Sequence, residues 1–206
     1  MHTLVFSLAI GLGGLSAAFS QGIALEDAAV LEKAIERQAV PAEVLADAVR
    51  AVQDVGDLTL KGDFEGVVAQ LYPRFRQRAA KKLGGNEQMA AQMRKMVNDF
   101  AASGLMVTQF QADPAIHGFD IPEFREWLVF VPTTKTVRFV DPRTGLKETK
   151  AVTDYQVAIR SKEAGAKWSF LNGSTLKIQE LRTFFPSLPA DIEEWAVPKK
   201  SARNVN

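Results

Sequence analysis

The spacing of apolar residues in this chain changes at Gly104. Before Gly104 they recur every three or four residues, which is typical of amphipathic helices. After it they fall in short runs of β-branched and aromatic residues separated by turns, which is typical of strands. A helical first half followed by a meandering strand half predicts an α+β fold, with helices packed on one face of an antiparallel sheet.

Capping and breaking residues divide the helical half. A helix is expected from about Ala42 to Gly62, since glycine favours the left-handed conformation that ends helices. Asp63 can cap the next helix, because its carboxylate can accept hydrogen bonds from the free amides of the first turn. Pro73 predicts a kink or a break. A further helix is expected to begin at Asn86 and to end near Gly104.

Four strands are expected in the second half. The run Trp127 to Val131 is apolar at every position, which indicates a central strand covered on both faces. The segment 112–125 is expected to be an irregular loop, because it contains two prolines and a glycine. The strands are predicted at residues 105–111, 127–131 with an extension toward 140, 150–160 and 167–171.

The amino-terminal segment predicts export. Residues 3–25 contain no charged side chain, and Ala18 and Ser20 match the small-x-small pattern that precedes signal-peptidase cleavage. An uncleaved membrane anchor is the alternative, although the apolar run Leu4 to Leu15 is shorter than the ~20 residues that span a bilayer. The expected organisation is a signal peptide at 1–20, a helical extension at 21–40, the α+β domain at 41–188 and an extended or disordered tail at 189–206.

Composition removes several classes of function. The 25 basic and 24 acidic residues nearly cancel, so no overall charge attracts the protein to nucleic acid. The chain contains no cysteine, which excludes thiol nucleophiles and zinc–thiolate sites. No cofactor and no metal site are expected. Once the signal peptide is removed, membrane contact is not expected, and the mature protein is expected to be periplasmic or secreted.

Three short steps carry a resemblance to a known superfamily. They are Gly62-Asp63-Phe64, Leu71-Tyr72-Pro73 and Lys167-Trp168-Ser169-Phe170. Together with the order of elements, they resemble the cystatin-like superfamily of nuclear transport factor two and ketosteroid isomerase, in its exported bacterial branch. The resemblance implies a cone in which helices pack on a strongly curved antiparallel sheet and enclose a ligand pocket. That superfamily contains isomerases, dehydratases, hydrolases and noncatalytic binding or assembly modules, so the fold alone does not give the function.

Four aromatic residues are candidates for the pocket wall: Tyr72, Trp127, Tyr155 and Trp168. Tyrosine and tryptophan combine apolar area with one hydrogen-bonding group, which suits a small amphipathic ligand. The alternative is that these rings only fill the core. We therefore expect a noncatalytic binding or assembly domain, whose partner is such a ligand, a protein, or a second copy docked on the sheet as a homodimer.

The competing hypothesis is an isomerase-, dehydratase- or hydrolase-type enzyme that uses a buried carboxylate with a tyrosine. It requires an Asp or Glu inside the cone, within hydrogen-bond reach of Tyr72 or Tyr155. No catalytic residue can be assigned from the sequence. Asp99 and Asp154 are expected to face solvent, because aspartate is rarely buried.

Overall fold

The computed structural model describes residues 40–102, 104–115, 117–141 and 143–205. The predicted signal peptide at 1–20 lies outside the described residues. So does the predicted extension at 21–40, apart from residue 40. In the part of the chain that is described, no helix combines the length and the apolar character needed to cross a membrane.

The first part of the described chain is helical, and its helices begin at the expected residues. Asp63 accepts a hydrogen bond from the Gly66 amide at 2.9 Å, and Gly62 and Gly84 end their helices in the left-handed conformation. Pro73 is the first residue of a new helix, so it marks a break. The helices are α1 (Ala42–Lys61), α2 (Phe64–Ala69), α3 (Pro73–Leu83) and α4 (Asn86–Ala102).

The second part forms a six-stranded sheet that is antiparallel throughout. Two short helices, α5 (Ile178–Phe184) and α6 (Ile192–Trp195), precede its last strand. The α+β class, with helices first and strands after them, is confirmed. The strands are β1 (Met106–Ala112), β2 (Gly118–Ile121), β3 (Glu126–Val140), β4 (Lys147–Ser161), β5 (Ser169–Asn172) and β6 (Ser201–Asn204).

The sheet is organised around β3 and β4, which pair along their whole length. The outer edge of β3 is shared by β2 and β1, and the outer edge of β4 is shared by β5 and β6. The strand β2 lies in the segment expected to be a loop. The prolines and the glycine of this segment favoured a loop. The strand pattern is nevertheless present, because the buried residues Phe119 and Ile121 alternate with Gly118 and Asp120.

The expected central strand is confirmed by its burial. Leu128 and Phe130 pack into one apolar cluster, and Val129 and Val131 pack into a second cluster on the opposite face. The second cluster includes Ala48 and Val52 of α1, so we call that side of the sheet the α1 face; the other side is the α5 face.

The α5 face also carries a helical layer, although helices were expected on only one face of the sheet. Leu181 and Phe184 of α5 and Ile192 of α6 are buried in its apolar cluster. Helices therefore cover both faces of β3, and the expectation of helices on one face only is wrong, because the apolar run of β3 needs cover on each side. The segment 189–206, expected to be an extended or disordered tail, instead contains α6 and the edge strand β6. Buried Ile192 and the pairing of β6 with β4 attach it to the domain.

Candidate functional site

The structure does not bring the four candidate aromatic residues together. Tyr72 and Tyr155 belong to the apolar cluster of the α5 face. Trp168 packs against the cluster of the α1 face. The alternation of side chains along β3 places Trp127 on that same face, on the side of Val129. Two candidates thus lie on each side of the sheet, and no single pocket can use all four.

Tyr72 is buried, and its hydroxyl forms a hydrogen bond with a carboxylate. Its hydroxyl donates to Glu126 Oε2 at 3.1 Å and accepts from Arg74 Nη1 at 3.4 Å. Burial raises the pKa of Glu126 above its usual value, against the opposing effects of the Tyr72 hydrogen bond and the Arg74 charge. The Arg74 guanidinium stacks on the Phe124 ring at 4.2 Å. This group joins the start of α3 to the start of β3.

A cation lies over the ring of each of the two candidate tryptophans. The Lys162 ammonium lies 4.0 Å from the centre of the Trp127 ring, and the Arg160 guanidinium lies 4.6 Å from that of Trp168. Asp47 of α1 accepts from the Trp168 indole N–H at 2.8 Å and from Arg160. The hydrogen bond from Trp168, with the charges of Arg160 and Arg50, lowers the pKa of Asp47. The polar group of Trp168 therefore binds the helix to the sheet.

A second polar cluster lies on the α1 face further along the sheet. Asp154 is only 4% exposed, so the expectation that it faces solvent is wrong. Its Oδ1 accepts from the Tyr155 backbone N–H at 2.8 Å, and its Oδ2 lies 3.9 Å from Lys135 Nζ. Burial lowers the pKa of Lys135, and the Asp154 charge opposes that shift. The buried Thr133 hydroxyl has no hydrogen-bond partner among the described residues.

The α5 face opens into a cleft of about 610 Å³ beside Tyr155. The apolar part of its lining consists of the Tyr155 ring, Leu176, Ile178, Val197 and Pro198. The polar part consists of Lys177, Gln179, Glu193, Lys199 and Lys200. Small-molecule sites usually have volumes of roughly 300–1,000 Å³, so the cleft is large enough for a ligand of that class. Tyr155 is the one sequence candidate that lines this cleft.

Local structure fixes the floor of the cleft. Gly173 donates its N–H to the Tyr155 carbonyl at 3.0 Å, and a Cβ at this position would overlap the Tyr155 ring. The glycine therefore allows the turn after β5 to lie directly against Tyr155. Lys200 Nζ donates to the Ser174 carbonyl at 3.1 Å and lies 5.3 Å from the centre of the Tyr155 ring. The chain between α6 and β6 thus forms one wall.

Tyr155 keeps its proton in this environment. Burial, with the negative charges of Asp154 and Glu193, raises its pKa to about 12. None of the hydrogen bonds found among the described residues uses the Tyr155 hydroxyl. At neutral pH the phenol is therefore uncharged, and it can donate one hydrogen bond to a group that reaches it.

Comparisons of the chain with protein-family models, curated proteins and solved structures find no match. The cystatin-like resemblance therefore stays a prediction.

The polar lining of the cleft was missed because Lys199 and Lys200 stood in a segment assigned to the tail. The signal available was the apolar set Leu188, Ile192 and Ala196, whose four-residue spacing is typical of a packed helical segment.

The two tyrosines of this chain are expected to titrate late. Tyr72 and Tyr155 are its only tyrosines, and burial raises the pKa of each from 10.0 to about 12. Phenolate absorbance in the native protein should therefore be nearly absent at pH 10.5 to 11, and should rise near pH 10 in denaturant. Since the unfolded phenols lose protons first, the free energy of unfolding should fall as pH rises from about 10 to about 12. A native titration midpoint near 10 would contradict the burial of both rings.

Proposed function

We propose that this protein is a noncatalytic binding domain that holds a small amphipathic ligand in the cleft beside Tyr155. The observation that carries the proposal is the mixed lining of that cleft. One side offers an aromatic ring and aliphatic side chains, and the rim offers charged and amide groups. Such a combination binds an apolar body and fixes the orientation of a polar head.

The enzyme hypothesis is supported by one specific observation. The Tyr72 hydroxyl and Glu126 carboxylate share a hydrogen bond, and the pKa of Glu126 is raised, as a general base often requires. Neither residue is among those that line the cleft. The pair also has a structural role, because it satisfies a buried phenol and anchors α3. We therefore rank a catalytic role below ligand binding.

The export of the mature chain belongs to the same proposal. It rests on the uncharged apolar segment Leu4–Leu15 and the small residues Ala18 and Ser20. Detection of a mature protein that begins near Gln21 in an extracytoplasmic fraction would support it. A chain that keeps Met1 and stays in the cytosolic fraction would contradict it.

Ligand binding can be tested with three probes that share one apolar body: 4-phenylbutyrate, 4-phenylbutanol and 4-phenylbutylamine. In amide-resolved NMR titrations of the folded protein, at least one probe should shift the signals of Tyr155, Leu176 and Val197. The Tyr155→Phe variant keeps the ring and removes the hydroxyl. It should weaken binding by about 2-fold to 10-fold, since a net hydrogen bond contributes about 0.5–1.5 kcal/mol.

The Tyr72→Phe variant is the matched control. It removes the hydroxyl of the other buried tyrosine, which lies outside the cleft lining. Its affinity for the probes should equal that of the wild type. The proposal fails if none of the three probes shifts signals at the cleft, or if Tyr72→Phe weakens binding as much as Tyr155→Phe.

A further inference from the structure

We infer that the cleft beside Tyr155 selects ligands with an anionic head group, such as a carboxylate on an apolar body. This inference rests on the proposed function and makes it more specific. It follows from the charges at the rim and from the position of one lysine.

The rim of the cleft carries an excess of positive charge. Lys177, Lys199 and Lys200 line it together with a single carboxylate, Glu193. No lysine of this set takes part in the ion pairs found among the described residues, and Glu193 is likewise absent from those pairs. Among the described residues, no close carboxylate therefore neutralises the charges of these lysines. This excess is local, because the basic and acidic residues of the whole chain nearly balance.

Lys200 is the lysine whose ammonium is held in place. Its Nζ donates one hydrogen bond to the Ser174 carbonyl, which leaves two further N–H donors. The same ammonium lies near the Tyr155 ring. A head group at this end of the cleft meets a positioned cation, and a positioned donor loses less conformational entropy on binding than a free lysine does.

The apolar lining sets the place of the ligand body. Leu176, just before α5, and Ile178, its first residue, are buried, and Val197 lines the cleft from the chain that leads to β6. A short aryl or alkyl group between these walls removes apolar surface from water. The Tyr155 phenol is uncharged at neutral pH, so it does not repel an anion.

The selectivity can be measured with the same three probes, by titration calorimetry at low and moderate salt. We expect 4-phenylbutyrate to bind about 5-fold to 10-fold more tightly than 4-phenylbutanol, and 4-phenylbutylamine to bind most weakly. Added salt should weaken the butyrate complex and leave the alcohol complex unchanged. Equal affinities for butyrate and alcohol would overturn the selectivity and leave the proposed binding function standing. Failure of all three probes would overturn both.

Variants of the rim identify the source of the selectivity. Lys177→Gln and Lys200→Gln should each lower the affinity for 4-phenylbutyrate by about 2-fold to 5-fold, as for partly exposed ion pairs. Neither should change the affinity for 4-phenylbutanol. Lys82→Gln, an exposed lysine of α3, is the matched control and should leave both affinities unchanged. An equal loss with Lys82→Gln, or an equal loss for the alcohol, would overturn the inference.

Discussion

Replacing Leu181 by alanine is expected to lower the free energy of unfolding by about 2–5 kcal/mol, the usual cost of truncating a buried leucine. Leu181 is fully buried in α5 and packs into the cluster of the α5 face. Its removal leaves a cavity between α5 and the sheet, where the surrounding rings can only partly relax. Chemical denaturation followed by circular dichroism measures the loss.

Leu146→Ala provides the matched control for that experiment. Leu146 lies in the turn between β3 and β4 and is 66% exposed. The same substitution there should change the free energy of unfolding by less than about 0.5 kcal/mol. If both substitutions changed the free energy of unfolding equally little, the C-terminal helices would not form a packed layer. The cleft would then lack the wall that these helices provide.

Alanine at position 56 is expected to destabilise the protein by about 1–3 kcal/mol, the usual cost of overpacking a core. In most helices the same change stabilises by about 1 kcal/mol, because glycine is a poor helix former. In this protein the added Cβ would overlap the Phe110 ring of β1, against which α1 packs at Gly56. The sign of the effect therefore reports on the close approach of α1 to the sheet.

A double variant separates overpacking from other causes. Phe110→Leu should by itself be destabilising, since it removes part of a ring that packs against the α1-face cluster. In the Phe110→Leu background, Gly56→Ala should cost less or become stabilising, because the smaller side chain leaves room for the Cβ. Thermal unfolding of the four proteins gives the coupling. A stabilising Gly56→Ala in the wild-type background would contradict the tight packing of α1 on the Phe110 ring.

The local part of the fold could be predicted because local chemistry determines it. Gly62 ends α1 and Asp63 caps α2 through groups within a few residues of each other, so the sequence alone contains the signal. The continuous apolar run in β3 likewise predicted coverage on both sides. The sequence did not say which element covers each side, because contacts between α5 and β3 join segments about 50 residues apart.

The candidate site shows the same limit. The strand predicted at residues 150–160 places Asp154 and Tyr155 on different sides of the sheet, since adjacent strand residues point to opposite faces. It could not show that both faces are covered, so Asp154 was expected in solvent. Tyr155 was chosen for its residue type, and the lysines around it come from the turn after β5 and from the C-terminal segment. Only the folded chain brings those segments together.

The alternation along β3 also has a consequence for how the protein unfolds. Successive residues, such as Val129 and Phe130, insert into different clusters, so both clusters share one stretch of backbone. A shift of one residue in the pairing with β4 would exchange the two sets of side chains between the faces and disrupt the packing of both clusters. Neither apolar cluster can unfold while the other keeps its contacts with β3. The two layers should therefore be lost in a single cooperative transition.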